Sequence, residues 1–286
     1  MTDDIPPAGG PIPVDLLIIG GITVDDLLGW GEAAGGAARY ATEAALAAGL
    51  RVTLHTVAGD EPVVREALDG LAAQADVISH PAPSSIRFEH HGTDDARRLR
   101  LRGVTDPIPL PEPDRFPVAA AVLFAPVAGE VSADAVQAVR APFRAASLQG
   151  WLRRPDLDGW VMTRPLAELE PGLAGALRGL DLLIASREDL AALDGPGALA
   201  QLRAWAGPRT QLVVTAGTEG AWLDDGVGPA SHVRAEVVAA RNTIGAGDAF
   251  AAVLVARRGA GRALRDAAED AASATTAYLG NRTPPG

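Results

Sequence analysis

The chain of 286 residues contains no cysteine, and its 25 basic residues are all arginine, without a single lysine. The first absence excludes disulfides, thiolate metal sites and a cysteine nucleophile. The second excludes Schiff-base chemistry and the lysine of a P-loop. Aromatic residues are scarce at 4%, and 36 acidic against 25 basic side chains leave a formal net charge of −11 at pH 7. Such a chain is poorly matched to nucleic acid. Long hydrophobic runs are missing too. "VAAAVLFAPVAG" (118–129) falls far short of a membrane span, and the acidic, proline-bearing start "MTDDIPPAGGPIP" is unlike a secretory signal. The expectation is a cytoplasmic protein with no membrane or nucleic-acid partner.

What the chain does have is alternation. "VDLLIIGGI" (14–22), "RVTLHTVAG" (51–59), "VAAAVLFAP" (118–126), "RAASLQG" (144–150), "LDLLIAS" (180–186) and "TQLVVTAG" (210–217) are apolar runs of strand length. Between them, 35–50, 61–75, 132–141, 165–178, 187–193 and 196–206 carry helical spacing or capping signals. A βαβα rhythm of this kind predicts an α/β fold with a mostly parallel sheet and helices on both faces. The length suits one large domain, and no linker or internal repeat divides it.

The stretch "AARNTIGAGDAFAAVLVARR" (239–258) carries the chemistry. An apolar run over 235–240 breaks at Arg241, then Gly245, Ala246 and Gly247 lead into a helix-forming segment with Asp248 at its first turn. Glycine leaves room for a ligand to approach the main chain, and the unpaired N–H groups of a helix amino end carry partial positive charge. The entry is therefore an anion pocket made of backbone. Asp248 reads either as a first-turn acid that stabilises the helix or as a base beside a bound phosphate.

One segment departs from the rhythm. "SSIRFEHHGTDDARRLRLRGV" (84–104) reads as a hairpin with Arg97, Arg98, Arg100 and Arg102 in partial alternation, either a charged edge or a lid. The doublet His90-His91 is expected on the strand surface, since no third ligand stands at metal-binding spacing.

Taken in order, several segments resemble the ribokinase-like (PfkB) carbohydrate kinases: "IIGGITVD" (18–25), "GGAARYA" (35–41), "ASREDLAAL" (185–193), "VVTAGTEGAWL" (213–223), "NTIGAGDAF" (242–250) and "AASATTAYLG" (271–280). The resemblance implies a single kinase domain over 1–286, a three-layer α/β/α sandwich with a small β lid at 84–104. It implies transfer of the γ-phosphoryl of ATP, with Mg²⁺, to a hydroxyl of a small sugar, polyol or nucleoside. Asp248 would be the general base, with Gly245, Ala246 and Gly247 as the anion hole. Asp25, Gly35, Gly36 and Tyr40 would hold the acceptor. Thr215, Gly217, Gly220 and Ser273 would line the nucleotide, and Glu188 would stand in the metal shell. The expected assembly is a monomer or homodimer.

Departures leave parts of this open. Asn242 stands where the family signature has Asp, which puts monovalent-cation activation in question. Ser186 replaces the Asn of "NxxE", and Tyr40 stands where many relatives have Asn. Nine residues between Asp25 and Gly35 are too few for the lid hairpin that ribokinase inserts there. The short lid, the Tyr and "SLQGWLRR" (147–154) are closer to the branch with inositol and nucleoside kinases, with Arg153 within conceivable reach of a phosphate. The alternative reading is a kinase-fold binding protein that has lost catalysis.

Overall fold

The structure, a computed structural model, describes residues 14–28, 31–92, 98–110, 116–236 and 243–281. The chain opens with β1 (Val14–Ile19), whose continuous apolar run is buried on both faces, as a central parallel strand requires. It then leaves the main sheet for β2 (Thr23–Leu27) and β3 (Gly31–Gly35), and returns through α1 (Ala37–Ala47) to β4 (Val52–Ala58). Helix α2 (Pro62–Ala72) and β5 (Asp76–Pro81) complete the first crossover, and β6 (Ile86–His91) and β7 (Arg98–Gly103) form a hairpin.

β8 (Ala119–Phe124), α3 (Ala133–Ala138) and β9 (Phe143–Ser147) continue the alternation. Ser132 caps α3 by accepting the Ala135 N–H at 3.1 Å. A single turn, α4 (Gln149–Leu152), leads into the short hairpin of β10 (Arg153–Pro155) and β11 (Val161–Thr163). After it come α5 (Pro171–Arg178), β12 (Leu182–Ser186), α6 (Gly195–Ala206), β13 (Gln211–Thr215), β14 (Ala221–Asp224) and β15 (Ser231–Val233). Two helices close the described chain, α7 (Ala246–Gly259) and α8 (Leu264–Asn281).

Nine strands form one sheet in the order β15-β14-β13-β12-β9-β8-β1-β4-β5. The seven strands from β13 to β5 are parallel, and β14 and β15 add antiparallel edges. The period-two pleat divides the core. Leu16, Ile18 and Leu54 face the layer of α1, α2, α7 and α8, while Leu17, Ile19, Val122 and Phe124 face α3, α5 and α6. The expected three-layer α/β/α sandwich is what forms.

Helix α7 has eight consecutive buried residues, Ala249 to Ala256. A helix apolar all round is a core helix. Its many alanines let α1, α8 and the sheet close on it, and Phe250, Val253, Leu254 and Val255 each contribute roughly 1.5–3 kcal/mol by burial. The amino end of α7 is therefore mounted on the most firmly packed element of the fold.

Four further strands form a small sheet in the order β3-β2-β6-β7, apart from the β10–β11 hairpin. The hairpin expected over 84–104 is present, but it is half of this sheet. The other half is the β2–β3 hairpin, which fits between Asp25 and Gly35 by pairing Thr23 with Gly35 and Leu27 with Gly31. Asp25 accordingly sits inside a second strand and not at the end of the first. The helix expected over 187–193 does not form. Ser186 and Asp189 exchange side-chain-to-backbone bonds there, and Ala191 takes φ +49°, a left-handed conformation that stops a helix. The strand read over 235–240 lies from residue 237 onward outside the described residues, as do Arg97, Arg241 and Asn242.

Candidate active site

Gly245 caps α7 in the left-handed region at φ +81°, and a Cβ there would run into the ring of Tyr40 from α1. Both constraints demand glycine. The Ala246 N–H is turned back to the Thr243 carbonyl at 3.1 Å, so Ala246 is engaged within the turn. Helix geometry leaves the amides of Gly247 and Asp248 without intrahelical acceptors. Gly247 is exposed, with no atom within 4 Å of where a Cβ would lie, so a ligand can reach the main chain there.

Asp248 lies in the first turn of α7 and keeps partial exposure. Burial of its carboxyl pushes its pKa up to about 7, and the charge of Asp189 adds to the rise, while the Arg153 guanidinium opposes it. Asp189 is itself raised by burial, with Arg153 again pulling the other way. Its Oδ2 accepts the Ser186 N–H at 2.9 Å, and its own N–H donates to Ser186 Oγ at 2.9 Å. Two acids and one arginine thus meet at the anion pocket.

Glu188 is elsewhere. Its side chain is 65% exposed and pairs with the adjacent Arg187 at 3.3 Å. Counting three residues on from Ser186 leads to Asp189, so the spacing that distinguishes them was present in "SRED"; Asp in place of Glu concealed it. Sequence reading also missed Glu130. That carboxylate is buried and accepts the N–H groups of Gly21 at 2.8 Å, Val127 at 2.9 Å and Ala128 at 2.9 Å. It ties the β1–β2 turn to the loop after β8. A lone acid within "APVAGEVS" was its one signal.

Asp25 is buried in the small sheet. Its Oδ1 accepts from Thr23 Oγ1 at 2.8 Å, and its carboxyl lies so close behind Gly35 that no side chain fits there. Gly36 follows as the cap of α1 at φ +102°, pressed against the Gly21 backbone. One turn along α1, Tyr40 is buried against Gly245. Helix α1 therefore links Asp25, Gly35, Gly36 and Tyr40 to the α7 entry. Arg153 closes the circuit, with its guanidinium 5.7 Å from the ring centroid of Phe88, the residue paired with Asp25 across β2 and β6. His90, expected on the strand surface, instead has a side chain only 10% exposed, with Nε2 3.4 Å from Asp25 Oδ2.

The residues read for the nucleotide lie on the other flank. Thr215 ends β13, Gly217 and Gly220 take φ +55° and +101° in the turn that follows, and a Cβ on Gly220 would collide with the Val233 carbonyl. Ser273 is exposed on α8 and bonds Glu236 at 2.5 Å. It lines an open cavity of about 540 Å³ between β15 and α8, whose wall is charged: Arg234, Glu236, Arg265 and Glu269. Among the described residues, no group of three or more acidic or histidine side chains is placed to hold a metal, and no helix is long and apolar enough to cross a membrane.

The resemblance read from the sequence is borne out, and the fold is that of the ribokinase-like carbohydrate kinases. Residues 159–284, which include the α7 entry, match the model of the pfkB family carbohydrate kinase. No curated protein matches the sequence. Solved structures of the same fold include a pyrophosphate-dependent kinase in the ribokinase family complexed with a pyrophosphate analog and myo-inositol. It has TM-score 0.74 and 20% identity, over 92% of this chain and 94% of that one. Ribokinase from Cryptococcus neoformans var. grubii serotype A, in complex with ADP, has TM-score 0.70 and 18% identity, over 97% and 96%. Arabidopsis thaliana ribokinase complexed with ribose and ATP has TM-score 0.70 and 14% identity, over 96% and 95%.

Proposed function

We propose that the whole chain acts as one kinase domain that transfers the γ-phosphoryl group of ATP to a hydroxyl of a small sugar, polyol or nucleoside, with the small sheet as its lid. The observation that carries this is Asp248. It is a carboxylate beside the open amides of a buried helix, with its pKa pushed up to about 7. A base poised near neutrality accepts a proton without being too weak to remove it.

In the reaction, Asp248 takes the proton of the acceptor hydroxyl as its oxygen attacks the γ-phosphorus, and ADP leaves. The amides of Gly247 and Asp248 donate to charge on the migrating group, since phosphoryl transfer needs positioning and charge stabilisation above all. Arg153 adds a fixed positive charge beside both acids. Asp25, Gly35, Gly36 and Tyr40 bind the acceptor. Thr215, Gly217 and Gly220 pass the donor phosphates, with Ser273 at the outer rim. The oxygen-only donor set suits Mg²⁺ held mainly by phosphates and water, with Asp189 rather than Glu188 as the protein carboxylate beside it; the ion would offset phosphate charge.

A second reading concerns the donor. The cavity beside Ser273 mixes Arg234, Glu236, Arg265 and Glu269 with His232, Val233 and Ala272. Pyrophosphate is the alternative donor to ATP, since one neighbour in fold is described as pyrophosphate-dependent. Product formation with each donor against sugars, polyols and nucleosides separates these readings. Asp248→Asn is expected to lower kcat by about 10²–10⁴ with little change in donor affinity. Donor and acceptor binding without turnover by the native chain would instead mark a binding protein on a kinase fold.

A further inference from the structure

We propose that His90 is a specificity-determining residue of the acceptor site. With Thr23 it holds the Asp25 carboxylate so that the lone pairs left over meet two neighbouring hydroxyls of a polyol. This rests on the kinase reading above.

The placement follows from the register of the small sheet. Asp25 pairs with Phe88 across the parallel strands β2 and β6, and side chains two residues apart share a face. Thr23, Asp25, Phe88 and His90 therefore lie on one face. Arg153 stacks over Phe88, and the charge of Arg153 is felt by Asp248 and Asp189. Arg153 therefore connects that face with Asp248 and Asp189.

An ionised carboxylate offers about four acceptor sites, two on each oxygen. Thr23 Oγ1 takes one on Oδ1 at 2.8 Å, and His90 Nε2 stands 3.4 Å from Oδ2. Gly35 leaves no space for a side chain behind Oδ2. One site per oxygen remains, and two acceptors on adjacent oxygens match a vicinal diol. Both side chains are close to nine-tenths buried, 10% exposed for His90 and 11% for Asp25, so bulk water competes little for these sites.

The second nitrogen of His90 sharpens the assignment. Nδ1 is buried and has no hydrogen-bond partner. If the ring proton is on Nε2, which stands 3.4 Å from Asp25 Oδ2, Nδ1 is an acceptor, and a buried acceptor left unpaired is unfavourable. A further hydroxyl of the same polyol satisfies it once the lid admits substrate. Acceptors with a diol flanked by a third hydroxyl are therefore preferred over those with an isolated hydroxyl.

The test is calorimetric binding of ribose and myo-inositol, each against its monodeoxy analogues, to the native chain, His90→Leu and His90→Gln. ATP is titrated in parallel. The native chain is expected to bind at least one parent polyol and to prefer it to a deoxy analogue. Leu is expected to weaken that binding about tenfold or more and to erase the preference, with ATP affinity within twofold of native. Gln carries an amide N–H to the position of Nε2 and is expected to restore most of the affinity. The inference is overturned if Leu binds polyol as the native chain does, if ATP affinity falls in step, or if a Gln variant of native Tm binds as weakly as Leu. It is equally overturned if the native chain binds neither parent. The kinase reading fails on a different result, the absence of phosphorylated product from the native chain with either donor although donor and polyol both bind.

Discussion

The sharpest consequence of the site is its pH dependence. In the role proposed for it, Asp248 works as a base only when ionised, and burial pushes its pKa up to about 7. It is then roughly one-tenth ionised at pH 6, half at pH 7 and nine-tenths at pH 8, so kcat/KM for the acceptor should rise about tenfold between pH 6 and pH 8 and level off above. Burial sets most of the midpoint, and the charged neighbours adjust it. Removing Arg153 as Arg153→Met takes away the charge that favours ionisation, and the midpoint should move up by about one unit or more. Asp189→Asn removes a like charge and should move it down. The same shift enters stability. A folded pKa raised from 3.8 to about 7 means that the folded state holds more protons across that window, so stability falls as pH rises through it and is lowest above pH 7. Three units correspond to at most about 4 kcal/mol, less because the residue keeps partial exposure. Asp248→Asn should therefore raise Tm at pH 8 while lowering kcat. Steady-state kinetics from pH 5.5 to 8.5 and thermal melts of the four proteins decide the matter. A flat profile, midpoints moving in the opposite senses, or a lowered Tm for Asp248→Asn would refute the electrostatic account.

Three further outcomes are expected. Gly245→Ala meets both a left-handed backbone and the Tyr40 ring, so it should lose roughly 1–3 kcal/mol of stability by denaturant titration and most of its activity. Gly247→Ala, which meets nothing within 4 Å, should keep native stability while lowering kcat and kcat/KM for the donor; equal destabilisation of the two variants would contradict this picture. Away from the site, His55 is fully buried with Nε2 2.8 Å from His80 Nε2, and burial with the neighbouring His80 pushes its pKa down to about 4. The unfolded chain takes up the proton near pH 6.5 and the folded chain near 4, so stability should be lost as pH falls across that window, by at most about 3 kcal/mol. His55→Gln should flatten the melting temperature over the same range, and an unchanged slope would remove His55 from this role.

The sequence by itself determined what depends on local order. Continuous apolar runs declared buried parallel strands, because a strand covered on both faces needs no alternation. Gly245 and Asp248 declared a helix entry with an acid in its first turn, because backbone conformation and unpaired amides are properties of neighbours in the chain. What only the tertiary structure decided involves groups brought together from distant segments. Whether Asp248 is a surface acid or one pushed up to about 7 depends first on the burial that packing gives its carboxyl, then on Arg153, which opposes the rise, and Asp189, which adds to it, 95 and 59 positions away. The choice of Asp189 over Glu188 turned on which of two adjacent acids the Ser186 turn folds inward. His90 read as a surface histidine because no third metal ligand stands at useful spacing in the sequence, and only pairing β2 beside β6 puts Asp25 against it. Electrostatic coupling acts through space and grows as water is excluded, so it exists only after the distant segments have packed.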